Sequence, residues 1–396
     1  MTLTRRGLLQ GAGALAGVGL LGAALPADAA RPTSRLVVVF LRGGLDGLSL
    51  LAPLGDRHYA AARPTLALPA RRAIEVDRLW GWHPEAAGLA ALYRRRELAP
   101  VVAVADPEAS RSHFEAMERL ETCSSEGAPL RTGWLDRYAD AVDLTGTFGS
   151  VSLGGLLPRS LAGPAPELAV PSVDGFQART RGDRKAFLAA LRAVNGNSAD
   201  VSTRMRTALD AADRLAGLRG RPLGRYPDSP LGRALHDVGT LVRAGIGLHL
   251  ATVDAGGWDM HSGLGKGAGV DGGWMGTQLR DLSRSVHAFA GDLGPHWAST
   301  TVLVMSEFGR QVRENHDGGL DHGAGATWLV AGGRVRGGRV LGTWPTLRVL
   351  DDGAVPGRVD PRQVLAEVLR DGCGAGPSAV RAAVPGAPAQ RLGLFR

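Results

Sequence analysis

Apolar residues recur along this chain in two distinct patterns. Five segments are unbroken apolar and β-branched runs. They are "RLVVVFL" at Arg35–Leu41, "LAPVVAVAD" ending at Asp106, "IGLHLATVD" at Ile246–Asp254, "TTVLVM" ahead of Ser306, and "TWLVAGG" from Thr327. A run without polar alternation suits a strand covered on both faces. Between these runs the period changes. In "GTQLRDLSRSVHAFAGDLG" the residues Leu279, Leu282, Val286 and Phe289 fall three and four apart, the stripe of an amphipathic helix. "PRQVLAEVLRDG" opens with Pro361 in the first turn and stops at Gly372. Arg184–Leu218 reads as one or two long helices, "GRPLGRYPDSPLG" as a linker, and a further helix starts at Leu231. Strands alternating with helices predict an α/β protein of three layers, with a mainly parallel sheet between two helical layers.

The first thirty residues follow another rule. Arg5 and Arg6 precede the small, apolar run "GAGALAGVGLLGAALP" and then "ADA" at Ala27–Ala29. This is the order of a basic region, an apolar region and a small-residue cleavage site. The paired arginines point to twin-arginine export, with residues 1–29 as the signal peptide and the twin-arginine translocase as a transient partner. Residues 30–396 then form one domain, with a helical insertion at about 180–245. No later stretch approaches a membrane span, so no transmembrane anchor is expected in the mature chain. A periplasmic, cell-wall-associated or extracellular location follows.

The formal charge is +8, and the only lysines are Lys185 and Lys266, so nearly all of the positive charge is arginine. The arginines are scattered and no aromatic residues interleave with them, which argues against nucleic-acid binding. Cys123 and Cys373 form no CxxC pair, so a thiolate zinc site is excluded. Two cysteines in an exported chain could bridge, but they make no disulfide framework.

In open α/β sheets, ligands bind beyond the carboxyl ends of the strands. After "RLVVVFL" comes Asp46, between glycines; after "VVAVAD" come Ser110, Ser112 and His113; after "LHLATVD" come Asp259 and His261. After "TTVLVM" comes "SEFGRQVRENHDGGLDHGAG", which carries Glu307, Asp321, His322 and five glycines. Each alone has an ordinary explanation. Asp46 suits a tight turn, Asp259 and His261 could cap a helix, and Ser112 with Glu115 matches a capping box. His83 before Pro84 reads as a capping or packing histidine, and His249 as buried in its strand. Together, carboxylates and imidazoles from three strand ends suit one or two divalent ions such as zinc, manganese, magnesium or iron. Such ions clamp a phosphoryl or sulfuryl group during displacement.

The segments "LVVVFLRGGLDGLSLLAPLGDRHYAAARPTLALP", "DPEASRSHFEAMERLET", "GWLDRY", "GGWDMHSG", "VMSEFGRQVREN" and "LDHGAGATWLVAGG" resemble, in order, the motif series of the bacterial family called domain of unknown function 1501. That resemblance implies an alkaline-phosphatase-like fold, grouped with sulfatases, phosphatases and phosphoglycerate mutases, and export by the twin-arginine route. It implies Asp46, Asp259, His261, Glu307, Asp321 and His322 as metal ligands, and Ser112, or less readily Ser110, as nucleophile. Arg42, Arg111, His113 and Arg310 would then hold a small anionic ester substrate. The Asp321–His322 pair departs from the superfamily pattern by following Glu307 after fourteen residues rather than standing at the strand end. The expected activity is metal-dependent hydrolysis of phosphate or sulfate esters. The alternative is a non-catalytic protein of the same fold that binds a metal or an anionic ligand in the cell envelope.

Overall fold

The computed structural model describes residues 34–396, apart from 109, 126–128, 145, 155, 156, 166 and 177–199. The expected signal peptide at 1–29 and the first part of the expected insertion lie outside the described residues. The rest belongs to one compact unit, Pro32–Arg396.

Seven strands form the main sheet: β1 (Arg35–Leu41), β2 (Leu98–Val104), β3 (Ser150–Leu153), β4 (Leu168–Val170), β5 (Leu250–Ala255), β6 (Thr300–Met305) and β7 (Ala326–Gly332). Their order is β2-β7-β6-β1-β5-β3-β4. β1 lies at the centre, parallel to both neighbours, with Val39 opposite Val253 on one side and Val304 on the other. β7 runs antiparallel to β6 and to β2. Every parallel strand therefore ends at one edge of the sheet, and β7 begins there.

Successive residues of β1 enter opposite cores, as the two-residue period of a strand requires. Val37, Val39 and Leu41 pack with α1 (Ala87–Arg94), α5 (Pro230–Arg243) and α6 (Trp274–Asp292). Leu36, Val38 and Phe40 pack with α2 (His113–Thr122), α3 (Trp134–Ala141), α7 (Pro361–Glu367) and α8 (Pro377–Ala383). The three-layer, mainly parallel arrangement expected from the hydrophobic pattern is thus present. Within the helix-rich stretch after β4, the described parts are α4 (Asp200–Ala216) and α5. Among the described residues, no helix is long and apolar enough to cross a membrane.

Local departures from the sequence reading have local causes. β5 starts at Leu250 rather than Ile246, because Gly245 and Gly247 take left-handed backbone angles of +63° and +88°. His249 consequently stands just ahead of the strand and is half-buried. The "PRQVLAEVLRDG" helix widens into a π-turn over Val368–Gly372. β3 and β4 are too short to announce themselves as apolar runs. Cys123 and Cys373 are both free and buried, and burial pushes each thiol up to about 12.

Candidate metal centre

Four chain segments meet at the edge where the parallel strands end. The loop after β1 supplies Arg42 to Asp46, that after β2 leads into α2 with Ser112 and His113, and that after β5 carries Asp259 and His261. The fourth segment, 306–325, leaves β6 and doubles back into β7. Its Gly309 N–H donates to the Ala324 carbonyl (2.9 Å) and its Gln311 N–H to the Asp321 carbonyl (2.9 Å). The glycines permit close approaches. A Cβ on Gly319 would lie 2.2 Å from the His261 backbone, and one on Gly43 only 2.4 Å from the Asp259 nitrogen. Gly43 also holds a positive φ of +119°.

Three histidines converge on Asp259, each with its Nδ1 turned toward a group that can only accept. His113 Nδ1 faces Glu307 Oε1 at 2.8 Å, His322 Nδ1 the Arg111 carbonyl at 2.8 Å, and His261 Nδ1 Asp321 Oδ1 at 3.1 Å. The Nδ1 of each ring therefore carries the hydrogen, so that in the neutral tautomer the Nε2 is the ligating lone pair. His322 Nε2 is 3.2 Å from Asp259 Oδ1 and 2.9 Å from His261 Nε2, which is itself 3.0 Å from Asp259 Oδ1. His113 Nε2 lies 3.4 Å from Asp259 Oδ2, is shut off from solvent and makes no hydrogen bond. One donor atom from each of His113, Asp259 and His322 falls within 4.8 Å of the others, a group that could hold a metal ion.

Electrostatics favour the ligand forms of Asp259 and His322. Burial would raise the Asp259 carboxyl, but the hydrogen bond and charge of Arg310 outweigh this and hold it below the usual carboxylate range. Burial lowers the His322 pKa, and the charge of Arg310 adds to this, so its imidazole is favoured as neutral. Two imidazoles and an ionised carboxylate are a donor set for zinc, manganese or iron. The orphaned His113 nitrogen and the facing lone pairs fit a cation between them.

The other expected ligands stand behind this group. The Glu307 side chain is fully buried; its Oε1 also accepts from the Gly43 N–H (2.7 Å), and its Oε2 accepts from the Ser306 hydroxyl (3.1 Å). It orients His113. Asp321 orients His261, and accepts from Asn315 Nδ2 at 3.2 Å as well. Asp46 is withdrawn altogether, with both oxygens held by the Arg63 guanidinium at 2.6 and 2.9 Å. Arg63 further donates to the Val312 and Gln311 carbonyls, so the pair ties the β1 loop to the 306–325 segment.

Ser112 is the residue ahead of α2, but its hydroxyl makes no capping bond. The expected capping box is not formed; the Ser112 N–H donates to the Ser110 hydroxyl at 3.2 Å, and that hydroxyl donates to the Glu115 carboxylate. The expected anion-holding arginines are largely committed. Arg42 is shared between Glu121 and Asp254 at 2.9 Å each. Arg310, buried, donates to Asp259 and to the carbonyls of Gly43, Gly44, Trp258 and Leu320. Arg111 pairs with the exposed Asp352 at 2.8 Å. His113, expected at the substrate, is instead part of the donor group. Its position directly after Ser112, at the end of a strand loop, was the available signal; a capping pattern there concealed it. Arg63 and Asn315 carried none.

The chain belongs to the family described as Protein of unknown function (DUF1501), whose model matches residues 101–375. A search of curated proteins finds no match. Among solved structures, the C-terminal periplasmic domain of EcEptC from Escherichia coli, in complex with zinc, is similar at a TM-score of 0.35 and 10% identity, covering 77% of this chain and 74% of that one. A Bacteroides thetaiotaomicron chain from a locus for metabolism of multiple glycosaminoglycans gives 0.34 and 10%, covering 89% and 74%. The PsFucS1 sulfatase from Pseudoalteromonas sp. gives 0.34 and 12%, covering 79% and 64%. Similarity of this extent transfers no activity.

Proposed function

We propose that the protein is an exported, metal-dependent hydrolase acting on small phosphate or sulfate esters. One observation carries this reading: three imidazole rings, each with Nδ1–H fixed by an acceptor, turn bare Nε2 atoms toward a single ionised aspartate. Lone pairs 2.9–3.2 Å apart repel unless a proton or a cation lies between them. His113, Asp259 and His322 would hold the ion, with His261 beside them, and a divalent ion there supplies Lewis acidity toward an ester oxygen. Glu307 and Asp321 keep the ligand rings in one tautomer and one orientation. Ser112, its hydroxyl free of capping duty, is the candidate nucleophile toward phosphorus or sulfur. Its position ahead of α2 puts it beside the His113 ligand.

Two measurements test this. Protein purified without added metal should contain a divalent transition metal, and His322→Ala should contain much less. Ser112→Ala should keep its metal and lose turnover on aryl phosphates, phosphodiesters or sulfates supplied with zinc, manganese or magnesium. Equal, near-zero metal in parent and His322→Ala would remove the metal site itself. A second reading, a metal- or anion-binding envelope protein without turnover, is favoured by the committed state of Arg42 and Arg310. Metal retention with no hydrolysis of any ester in the screen would select it.

A further inference from the structure

A second site lies at the opposite edge of the sheet, where the parallel strands begin. The C-terminal end of α5 leads to β5 and that of α6 leads to β6. Between these helices and the stretch 221–226 opens a cleft of about 920 Å³. That is the size of a pocket for a ligand of several rings or several charged groups. Five arginines line it: Arg95, Arg221, Arg225, Arg243 and Arg284. The one carboxylate in the lining is Asp292, already bonded to Arg243 and to the Tyr226 hydroxyl (2.9 Å). Arg95 pairs with Glu97 outside the cleft at 2.5 Å. Among the described residues, Arg221, Arg225 and Arg284 make no salt bridge; Arg284 feels the charge of Glu85, whose carboxylate is itself bonded to Arg280.

This balance differs from that at the Asp259 edge of the sheet. There, Arg42, Arg63, Arg111 and Arg310 are each tied to an acid. In the cleft, like charges from four separate segments face one another, and the field is felt locally. Burial lowers the His287 pKa, and the charges of Arg95 and Arg225 lower it further. Guanidinium groups without salt bridges along a concave wall bind oxyanions through paired, charge-assisted hydrogen bonds. Tyr226, the one phenol or indole in the lining, is buried against His236 and offers no open face for stacking a base.

The geometry points to the cleft at Arg221, Arg225 and Arg284 as a binding site for a ligand bearing several phosphate or sulfate groups, separate from the Asp259 cluster. The two chemistries share tetrahedral oxyanions, and separate titrations distinguish them. Inorganic tripolyphosphate is one probe and a sulfated disaccharide the other, with a short DNA duplex as the competing class, each titrated calorimetrically into the full mature chain.

At least one of the first two should bind, with affinity falling as salt is raised. Arg225→Ser and Arg284→Ser should each weaken binding about tenfold, and the double variant about a hundredfold. All three side chains are exposed, so these variants should melt with the parent and keep its metal content and any ester hydrolysis. Whichever of tripolyphosphate and the sulfated sugar binds names the source. Binding unchanged in the double variant, or lost in His322→Ala instead, would overturn the site. No binding of either probe at low salt, or binding of the duplex alone, would overturn the ligand class.

Discussion

Asp46 and Asp259 both follow strands and both meet an arginine, yet they end in different states. Arg63 takes both oxygens of Asp46, and the pair is almost fully shut from water. Arg310 takes one oxygen of Asp259, while the other faces His113. Burial would raise the Asp46 carboxyl, but Arg63 and Ser49 outweigh it and hold it below the usual range. Asp46→Ala would strand a buried guanidinium and should cost about 3–5 kcal/mol, read as a lower melting temperature. Its metal content, where the variant still folds, should match the parent's. His83 makes a second prediction. Its ring is buried, bonded to the Ala268 carbonyl (3.0 Å) and the Glu85 N–H (3.1 Å), and burial lowers its pKa to about 4. An unfolded histidine titrates near 6.5. The neutral ring's contribution is therefore complete above about pH 6.5 and is lost as pH falls toward 4, on the order of 3 kcal/mol. Denaturant unfolding across that window should show the slope in the parent and lose it in His83→Gln.

Five of the seven strands of the main sheet and the longer helices were legible because a buried strand and an amphipathic helix each impose a pattern on the sequence; β3 and β4 are too short to do so. The donor group was legible only as a set of strand-end loops, since chain order says which loops share an edge but not which side chains touch. Arg63 stands seventeen residues from Asp46 with no spacing rule to link them. Glu307 and Asp321 look like ligands in sequence because an orienting carboxylate and a ligating one are the same residue type. The segment 306–325 decides between those roles by folding back on itself. Glu307→Gln keeps the size of the side chain but loses the charge that anchors the His113 Nδ1–H. It should lower metal affinity about 10–100-fold with little change in turnover per bound metal, measured by competition with a chelator. Unchanged affinity would place Glu307 in packing alone.

The reversed direction of β7 sets the plan of the whole molecule. A seventh parallel strand would have needed a long crossover from β6; the antiparallel one needs only the loop that carries Asp321 and His322 back to the edge where β6 ended. The proposed export belongs at this size as well. N-terminal sequencing of protein recovered outside the cytoplasm should begin after Ala29, and replacing Arg5 and Arg6 with lysine should trap it inside; intact Met1 on the exterior material would overturn this. The two cysteines, finally, leave the native surface silent toward thiol chemistry. Both are buried and both are protonated far above neutral pH. A single cysteine introduced at Arg225 would then be the one group to take a maleimide dye. The folded protein thus offers a reporter position in the basic cleft without first having its own cysteines removed.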